Sequence, residues 1–197
     1  ITRNCDEGVG KLKGEPLNEV MTQRVLDACQ LVNWPESVRH YVLGKSMCVG
    51  LTGSDRGPRI FRQDEEVDRV TRLANQAIQD WTVKQGLDWF GWTSLQINVD
   101  TVSEWHYDHK NVGPSCIAIL GEYVGGEFEM RDYKPERLRD QAVVFDGYQW
   151  HRSHPTWDGV RYSFVAFLHE MSVELSESQW ASLRELGFRK PAFDIAA

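Results

Sequence analysis

Several features are scarce in this sequence, and each scarcity argues against a class of protein. No apolar run approaches the roughly 18 residues that a membrane-spanning helix needs, although 41% of the 197 residues are hydrophobic. The four cysteines are scattered without a Cys-x-x-Cys pair, which argues against a zinc cluster and favours reduced thiols inside the cell. No repeat or linker divides the chain. We therefore expect one soluble, intracellular domain over residues 1–197.

Positive charge is also in short supply, because 22 Lys and Arg face 29 Asp and Glu and give a formal net charge of −7. Binding to a nucleic-acid backbone needs a basic surface. Two local clusters are basic: Arg56, Arg59 and Arg62 in a glycine-bearing loop, and Arg131, Lys134, Arg137 and Arg139 in an insertion. Each cluster is either solvated surface charge or a set of phosphate contacts. The glycine-rich stretch 50–58 is expected to form a lid over the substrate.

The most informative feature present is His106-Tyr107-Asp108, followed 43 residues after the aspartate by His151. Two neutral imidazoles and one carboxylate on one side of a metal form the facial triad that holds Fe(II) and leaves positions open. The chain has six histidines, so a lone His-x-Asp is weak evidence and its setting matters. Residues 93–99 alternate like a strand, and a second extended stretch is expected over 105–108. His106 and Asp108 would then share one face.

A second pattern places an arginine inside the fold. The apolar run 141–145 ends at an Asp-Gly turn signal, and a strand is expected over 161–168. Alternation puts Arg161 and Ser163 on the same face as Val165 and Phe167. A charge buried among apolar residues is costly unless it is paired. Either the carboxylate of a ligand binds Arg161 through both its oxygens, or an internal Asp or Glu pairs with it.

Taken together, these elements resemble the 2-oxoglutarate/Fe(II)-dependent oxygenase superfamily over about residues 93–170. The elements occur in the family's order: His106-x-Asp108, His151 with Pro155 four residues on, and Arg161-x-Ser163. The resemblance implies a double-stranded β-helix, a jelly-roll barrel of the mainly β, α+β class, with its core at about 91–170. The metal would lie in one mouth of this barrel.

The resemblance also implies the chemistry and its residues. His106, Asp108 and His151 would bind Fe(II), while Arg161, Ser163 and Asn98 would bind 2-oxoglutarate. O2 would be the second co-substrate, ascorbate a reductant, and succinate and CO2 the products beside a hydroxylated C–H bond. Two other histidines compete for the ligand role. His109 follows Asp108 and should point away from its face, and His154 does not fit the spacing to Pro155 and Arg161.

Outside the barrel we expect helices, in a flank at about 15–90 and at the C-terminus. Apolar residues at helical spacing predict helices over 17–31 and 64–85, the second with acids in its first turn and Gly86 after its end. Ser176-Glu177-Ser178-Gln179 resembles a capping box for a last helix at about 176–187. These helices are expected to buttress one sheet of the barrel.

The substrate is less constrained by the sequence. Aromatic residues surround the ligand motifs, and each either packs the rim or stacks on a planar substrate: Trp105, Tyr107, Tyr148, Trp150 and Trp157. The string Gln96-x-Asn98, Asn111-x-Gly113-x-Ser115 and Gly125-Gly126 is similar to the TET/J-binding-protein branch, which oxidises 5-methylpyrimidines in DNA. A methylated nucleobase in nucleic acid is therefore the leading expectation. Its candidate contacts are Trp105, Tyr107, Lys110, Asn111 and Arg59.

Two alternatives stay open at this stage. One is a hydroxylase of a small molecule or an amino acid with the same mechanism. The other is a non-catalytic jelly-roll module that has kept a metal site. Intact Arg161 and Ser163 argue against the module, because a protein without 2-oxoglutarate has no use for them.

Overall fold

The computed structural model describes residues 10–195, in which strands outnumber helices. The helices are α1 (Glu19–Cys29), α2 (Glu65–Lys84) and α3 (Glu177–Glu185), with a 3-10 helix at Glu170–Glu174. The strands are β1 (Gly10–Lys11), β2 (Glu15–Pro16), β3 (Val42–Ser54), β4 (Gly57–Ile60), β5 (Ser94–Ser103), β6 (Ser115–Leu120), β7 (Tyr123–Gly125), β8 (Phe128–Met130), β9 (Tyr133–Lys134), β10 (Gln141–Phe145), β11 (His151–Ser153), β12 (Thr156–Gly159) and β13 (Tyr162–Phe167).

The largest sheet is antiparallel and has the strand order β2-β10-β6-β13-β5-β3-β4. Strands distant in sequence are neighbours in it, since β13 lies between β5 and β6. Two short antiparallel pairs, β8 with β11 and β7 with β12, complete the strands around the site. This mainly β arrangement is consistent with the expected jelly roll, and the closure of the strands into a barrel stays a prediction.

Alternation along the strands separates two apolar clusters on the two faces of the large sheet. One face carries Leu95 and Ile97 of β5 and packs against buried residues of all three α-helices. The opposite face carries Ile117 and Ile119 of β6 and packs against Phe128 of β8. The helices therefore buttress one face, as expected, and Ile117 and Phe128 of the other face line the site described below.

The helix expectations are confirmed with small shifts in their bounds. The α1 helix begins after Asn18, whose side chain accepts a hydrogen bond from the Met21 amide at 2.9 Å. The α2 helix begins after Asp64, which accepts from the Val67 amide at 2.9 Å. The capping box of Ser176 with Gln179 is present at the start of α3. Side-chain caps satisfy backbone amides that have no partner within the helix.

The flank expected to be helical over 15–90 also contains β3 and β4, which sequence periodicity did not reveal. The 13-residue strand β3 pairs with β5 from Val42↔Ser103 to Gly50↔Ser94. Gly50 has φ +86°, and a Cβ there would lie 2.3 Å from the Thr93 carbonyl oxygen, so the close pairing requires glycine. Residues 50–58 form a β3–β4 hairpin, and the expected role of this stretch as a lid stays a prediction.

Three of the four cysteines lie within the described residues. Cys29, Cys48 and Cys116 are free, and burial raises the pKa of Cys29 and of Cys116 to about 12. Cys5 lies outside the described residues. None of the helices described between residues 10 and 195 combines the length and the apolar character that crossing a membrane requires.

Candidate metal and co-substrate site

The three expected metal ligands meet in one place. Ligand atoms of His106, Asp108 and His151 all lie within 4.8 Å of one another. Two backbone hydrogen bonds join His106 and His151 as an antiparallel bridge, with N···O distances of 3.1 and 2.9 Å. The Asp108 amide donates to the Gly147 carbonyl at 2.8 Å, which places its carboxylate beside the bridge.

The local backbone differs from the extended stretch that the sequence predicted over 105–108. Within that stretch only His106 pairs with a neighbouring strand. Because β5 ends at Ser103, the segment leaves the sheet before the ligands and is held by two hydrogen bonds to His151 of β11 and by one to Gly147. Cross-strand contacts, and not a continuous strand, bring His106 and Asp108 together.

Both histidine rings are oriented by backbone carbonyls two residues before them. The His106 Nδ1 lies 2.8 Å from the Glu104 carbonyl oxygen, and the His151 Nδ1 lies 2.8 Å from that of Gln149. A carbonyl oxygen only accepts, so each Nδ1 carries the proton and donates it. In the neutral ring, each Nε2 then has a free lone pair. The Nε2 of His151 lies 3.7 Å from an oxygen of Asp108.

The surroundings of the two rings keep them ordered. Burial lowers the pKa of His106, with a smaller opposing contribution from its hydrogen bond to Glu104, so the neutral form that binds metals is favoured. The ring of Tyr41 lies 4.6 Å from that of His106, centroid to centroid. Phe128 and Phe145 contact His151, with centroid distances of 5.9 and 5.3 Å.

The competing histidines are placed elsewhere. His154 Nε2 lies 2.6 Å from a carboxylate oxygen of Glu129, so this nitrogen already has a partner. His109 is exposed and lies beside Tyr107, with ring centroids 6.3 Å apart. Neither belongs to the group of converging ligand atoms found among the described residues.

Arg161 is almost completely buried, with 1% of its surface exposed, just before β13. The sequence left open whether an internal carboxylate pairs with it. Among residues 10–195, no Asp or Glu forms an ion pair with its guanidinium, and its Nε has no hydrogen-bond partner. Its guanidinium makes two long contacts with neutral oxygens, 3.5 Å to the Thr101 carbonyl and 3.4 Å to the Ser153 hydroxyl, and also contacts the Tyr123 hydroxyl. The nearby Asp100 carboxylate accepts a hydrogen bond from the Arg161 backbone amide at 2.8 Å.

Burial is the largest influence on the pKa of Arg161. Burial lowers the pKa of Arg161, opposed by the nearby Tyr123 hydroxyl and Asp100. Burial also raises the pKa of Tyr123 to about 12, so its hydroxyl stays neutral. A guanidinium is charged at any ordinary pH. The arrangement therefore supplies a buried positive charge without an anion bound to it, and a carboxylate from a ligand would satisfy it.

A cavity of about 160 Å³ lies beside the metal ligands, and Arg161 lies behind its wall, in contact with the lining residues Thr101 and Ser153. Its wall includes the three metal-ligand side chains together with Asn98, Ser163 and Ser153. The Asn98 side-chain amide donates to the Ser163 hydroxyl at 3.2 Å, across the register pair of β5 and β13. Two of the three expected 2-oxoglutarate residues, Asn98 and Ser163, thus line the same cavity as the expected metal ligands, while Arg161 lies behind its wall.

Arg39 and Tyr41 also line this cavity, and sequence reasoning missed both. An Arg39 amino group donates to the Asn98 side-chain oxygen at 2.7 Å, while its buried Nε has no hydrogen-bond partner. Both residues lie in the segment before β3, which only the pairing of β3 with β5 brings to the site. Only a strand predicted over 42–49 would have found them, and the sequence of β3 shows no clear alternation.

The structure places the expected substrate residues in three different parts of the molecule. Tyr107, Lys110 and Asn111 line a second cavity of about 290 Å³, which adjoins the first at Asp108. Asn111 is buried and donates to the Ser115 hydroxyl at 3.2 Å. Trp105 lines a different cavity on the outside. Arg59 lies on the edge strand β4, opposite Thr52, and does not line the second cavity.

Comparison with known proteins identifies the architecture. No protein-family model and no curated protein matches the chain. NgTET1, solved in complex with 5mC DNA, superposes with a TM-score of 0.55 at 14% identity, over 82% of this chain and 73% of its own. The prolyl-4-hydroxylase of Pseudomonas putida superposes with a TM-score of 0.53 at 16% identity, over 83% and 95%. The chain has the fold of the 2-oxoglutarate/Fe(II)-dependent oxygenases.

A third solved structure belongs to the same group. It is an oxidoreductase of the 2OG-Fe(II) oxygenase family from Burkholderia pseudomallei, with a TM-score of 0.52 and 17% identity, over 76% of this chain and 78% of that one. The resemblance inferred from the motifs is thus confirmed at the level of the fold. At these identities the fold alone is shared, so the activity is argued from the chain's own residues.

Proposed function

We propose that this chain is an Fe(II)- and 2-oxoglutarate-dependent dioxygenase that hydroxylates a C–H bond and releases succinate and CO2. One observation carries the proposal. Three converging metal-ligand side chains line one cavity. An almost completely buried arginine without an ion-pair partner lies behind its wall, where its guanidinium contacts Thr101 and Ser153. A structural role for Arg161 would call for an internal carboxylate partner, and the described residues offer none as an ion pair.

The residues present fit the metal. His106, His151 and Asp108 would hold Fe(II), since two imidazoles and one carboxylate are the ligand set of the facial triad. The carbonyls of Glu104 and Gln149 fix both rings with Nε2 available, a function that outer hydrogen bonds commonly serve at metal sites. When bound, iron together with 2-oxoglutarate supplies the activation of O2 and the oxidation of the C–H bond.

The residues also fit an acidic co-substrate. Arg161 would bind the distal carboxylate of 2-oxoglutarate, and Ser163 would donate a hydroxyl hydrogen bond to it. Asn98 keeps the Ser163 oxygen in place through its 3.2 Å contact. Around the metal end, Ile117, Phe128 and Phe145 contribute apolar wall to the cavity. We infer that these three side chains limit the access of water to the reacting atoms.

For the substrate we propose a methylated base in nucleic acid. Two observations support it. The NgTET1 structure that shares this fold was solved with 5mC DNA. The second cavity, which adjoins Asp108, carries the aromatic side chains Tyr41 and Tyr107 beside Lys110. Aromatic side chains stack on planar bases, and a lysine neutralises a phosphate.

An amino-acid or small-molecule hydroxylase is the second candidate. The structure of the Pseudomonas putida prolyl-4-hydroxylase is matched over 95% of its length. The net charge of −7 also favours a substrate without a phosphate backbone, because binding such a backbone requires a basic protein surface. In this case the substrate would lie within the second cavity and would not extend over the surface.

The proposal is tested by measuring succinate release with Fe(II), 2-oxoglutarate and ascorbate. The substrate panel comprises methylated oligonucleotides, free nucleosides, free amino acids and prolyl peptides. We expect turnover of a methylated oligonucleotide above the rate without substrate. Turnover of amino acids or prolyl peptides alone would replace the nucleic-acid proposal by the second candidate. Metal binding without any consumption of 2-oxoglutarate would contradict the enzyme proposal and favour a non-catalytic module.

A further inference from the structure

The bridge between His106 and His151 has an outer face as well as a metal face. In an antiparallel pairing the residues on either side of a bridged pair point away from it and lie opposite each other. Trp105 is therefore opposite Arg152, whose guanidinium carbon lies 4.6 Å from the Trp105 ring centroid. Tyr107 is opposite Trp150, with ring centroids 5.0 Å apart in an edge arrangement. One cation–π pair and one aromatic pair thus lie on the side of the bridge that faces away from the metal ligands.

This outer face contains a cavity of about 450 Å³ lined by Trp105, Trp150 and Arg131, which we call the outer slot. Trp105 and Trp150 are 38% and 40% exposed, so each presents a large part of its ring. Arg131 reaches the slot because β8 pairs with β11 and the Arg131 amide donates to the Trp150 carbonyl at 2.8 Å. Apolar rings of this size are normally buried.

The two arginines beside the outer slot differ in whether they have an acidic partner. Arg152 Nε donates to a Glu129 carboxylate oxygen at 2.8 Å, and the same oxygen lies 2.6 Å from His154. These contacts hold Arg152 above the ring of Trp105. Arg131 is exposed and forms no ion pair with any acidic residue between 10 and 195. The slot thus combines two exposed aromatic rings with an arginine that can bind an anion.

The outer slot is connected to the metal site by aromatic contact. Tyr107 lines the second cavity together with Asp108, and its ring also touches Trp150 of the slot. A ligand that places one unit in the second cavity would meet Tyr107 next and the slot after it. Such a succession suits an extended chain of planar, negatively charged units.

We propose that the outer slot binds one unpaired base of a single-stranded nucleic acid, a neighbour of the base presented to the metal site. The base would stack on Trp105 or Trp150, and Arg131 would bind the adjacent phosphate. The inference rests on the nucleic-acid substrate of the proposed function. In a duplex each base is already stacked and paired, so the slot predicts a preference for single strands.

The test is direct binding of a labelled oligothymidylate of about 12 nucleotides, followed by fluorescence anisotropy and by quenching of tryptophan emission. The protein is loaded with Mn(II) and 2-oxoglutarate, so no turnover occurs. The variants are Arg131→Glu and Trp105→Leu. Matched controls are Arg24→Glu on the exposed side of α1, and Trp89→Leu, because Trp89 is 39% exposed and lies outside the slot.

We expect Arg131→Glu to weaken binding about tenfold or more at low salt and to reduce the salt slope by about one. Trp105→Leu should weaken binding about 5- to 100-fold, which is the range for loss of one stacked base. Both controls should bind within about twofold of the unchanged protein. Thermal unfolding of each variant shows that the comparison concerns folded protein.

Equal binding by the slot variants and the controls would overturn the proposal, as would tighter binding of a duplex than of the single strand. No binding of oligothymidylate by the unchanged protein would overturn it too. These results are independent of the reaction, because succinate release with the substrate panel is measured separately. A positive panel with an unaffected Arg131→Glu variant would leave the proposed reaction in place and remove only the outer slot.

Discussion

The two faces of the His106–His151 bridge differ in how their polar groups are satisfied. On the outer face, Arg152 and His154 both contact Glu129, and the aromatic side chains contact one another. On the inner face, the Nε atoms of Arg161 and Arg39 are buried without hydrogen-bond partners. Buried polar groups in folded proteins are nearly always hydrogen-bonded. The inner face is therefore the one that requires a ligand to complete it.

The His106–His151 bridge places the metal ligands on one side and the residues of the outer face on the other. Alternation sends His106 and His151 to one side and their neighbours Trp105 and Arg152 to the other. Changes on the inner face should abolish chemistry and leave the outer contacts intact. Changes on the outer face should alter stability or nucleic-acid binding and leave the metal ligands in place.

The largest effect is expected from removing a metal ligand on the inner face. His106→Ala should abolish metal binding and reduce turnover to the background rate, because only two of the three protein ligands of the facial triad would remain. Anaerobic titration with Fe(II), and with Mn(II) followed by electron paramagnetic resonance, should give one metal per chain before the change. His109→Ala is the matched control and should keep both properties. Activity that survives His106→Ala and is lost in His109→Ala would show that the ligand set is wrong.

The second-largest effect is expected from removing the buried charge of Arg161. Arg161→Ala should raise the 2-oxoglutarate concentration needed for half-maximal rate by about 100-fold or more, since a charged partner of the carboxylate is lost. Arg161→Lys should recover only part of it, because an ammonium lacks the planar fork. Ser163→Ala should cost about tenfold or less, as expected for one neutral hydrogen bond.

Titration of 2-oxoglutarate under steady-state conditions separates these variants. Thermal unfolding must accompany it, because Arg161 is among the largest fully buried side chains. An unchanged requirement in folded Arg161→Ala would place the carboxylate elsewhere, and Arg39 would then be the first alternative because it lines the cavity that the metal ligands share.

The parts of the site that depend on local pattern could be predicted from the sequence. Alternation along β13 placed Ser163 inward beside Val165, and both line the cavity. The resemblance supplied the pairing of distant motifs, which no local pattern contains. Helices α2 and α3 were found because their caps and apolar spacing lie within a few residues of one another.

The parts of the fold and of the site that the sequence did not predict depend on contacts between distant segments. Strand β3 contains glycines and polar residues without clear alternation, and its pairing with β5 decides its structure. Arg39 enters the site only through that pairing. The outer slot was missed for a similar reason, since Arg131 and Trp105 meet through the pairing of β8 with β11.

A smaller effect is expected from the outer face, at Glu129. Glu129→Gln should lower the free energy of unfolding by about 1 kcal/mol at pH 7, because Arg152 and His154 lose a charged partner that is partly exposed. Burial acts to raise the pKa of Glu129, but its hydrogen bonds with Arg152 and His154 lower it more. A lowered pKa in the folded state stabilises the protein above the ordinary pKa and loses this contribution as the pH falls through the folded value.

The difference between Glu129→Gln and the unchanged protein should therefore be constant near neutral pH and shrink below about pH 4.3. Urea unfolding at several pH values measures it. Glu122→Gln is the matched control, because its pair with Arg139 lies at the surface with 83% of the Glu122 side chain exposed, so no resolvable change is expected. A difference that grows as the pH falls would contradict the assigned role of the carboxylate.

The smallest effect is expected at Arg59, where sequence reasoning left two basic clusters as equal candidates for phosphate contacts. Arg59 lies on the outermost strand β4 and does not line the outer slot, whereas Arg131 does. Its neighbour Arg62 contacts Glu185 at 3.5 Å, which offsets part of the positive charge there. Arg59→Glu should thus change oligothymidylate affinity by no more than about twofold, since exposed charges separated by more than a Debye length are screened. Parallel anisotropy titrations of Arg59→Glu and Arg131→Glu at two salt concentrations compare the clusters. If Arg59→Glu weakens binding as strongly as Arg131→Glu, the strand runs past the β3–β4 hairpin as well, and the outer slot cannot be the main contact beside the metal site.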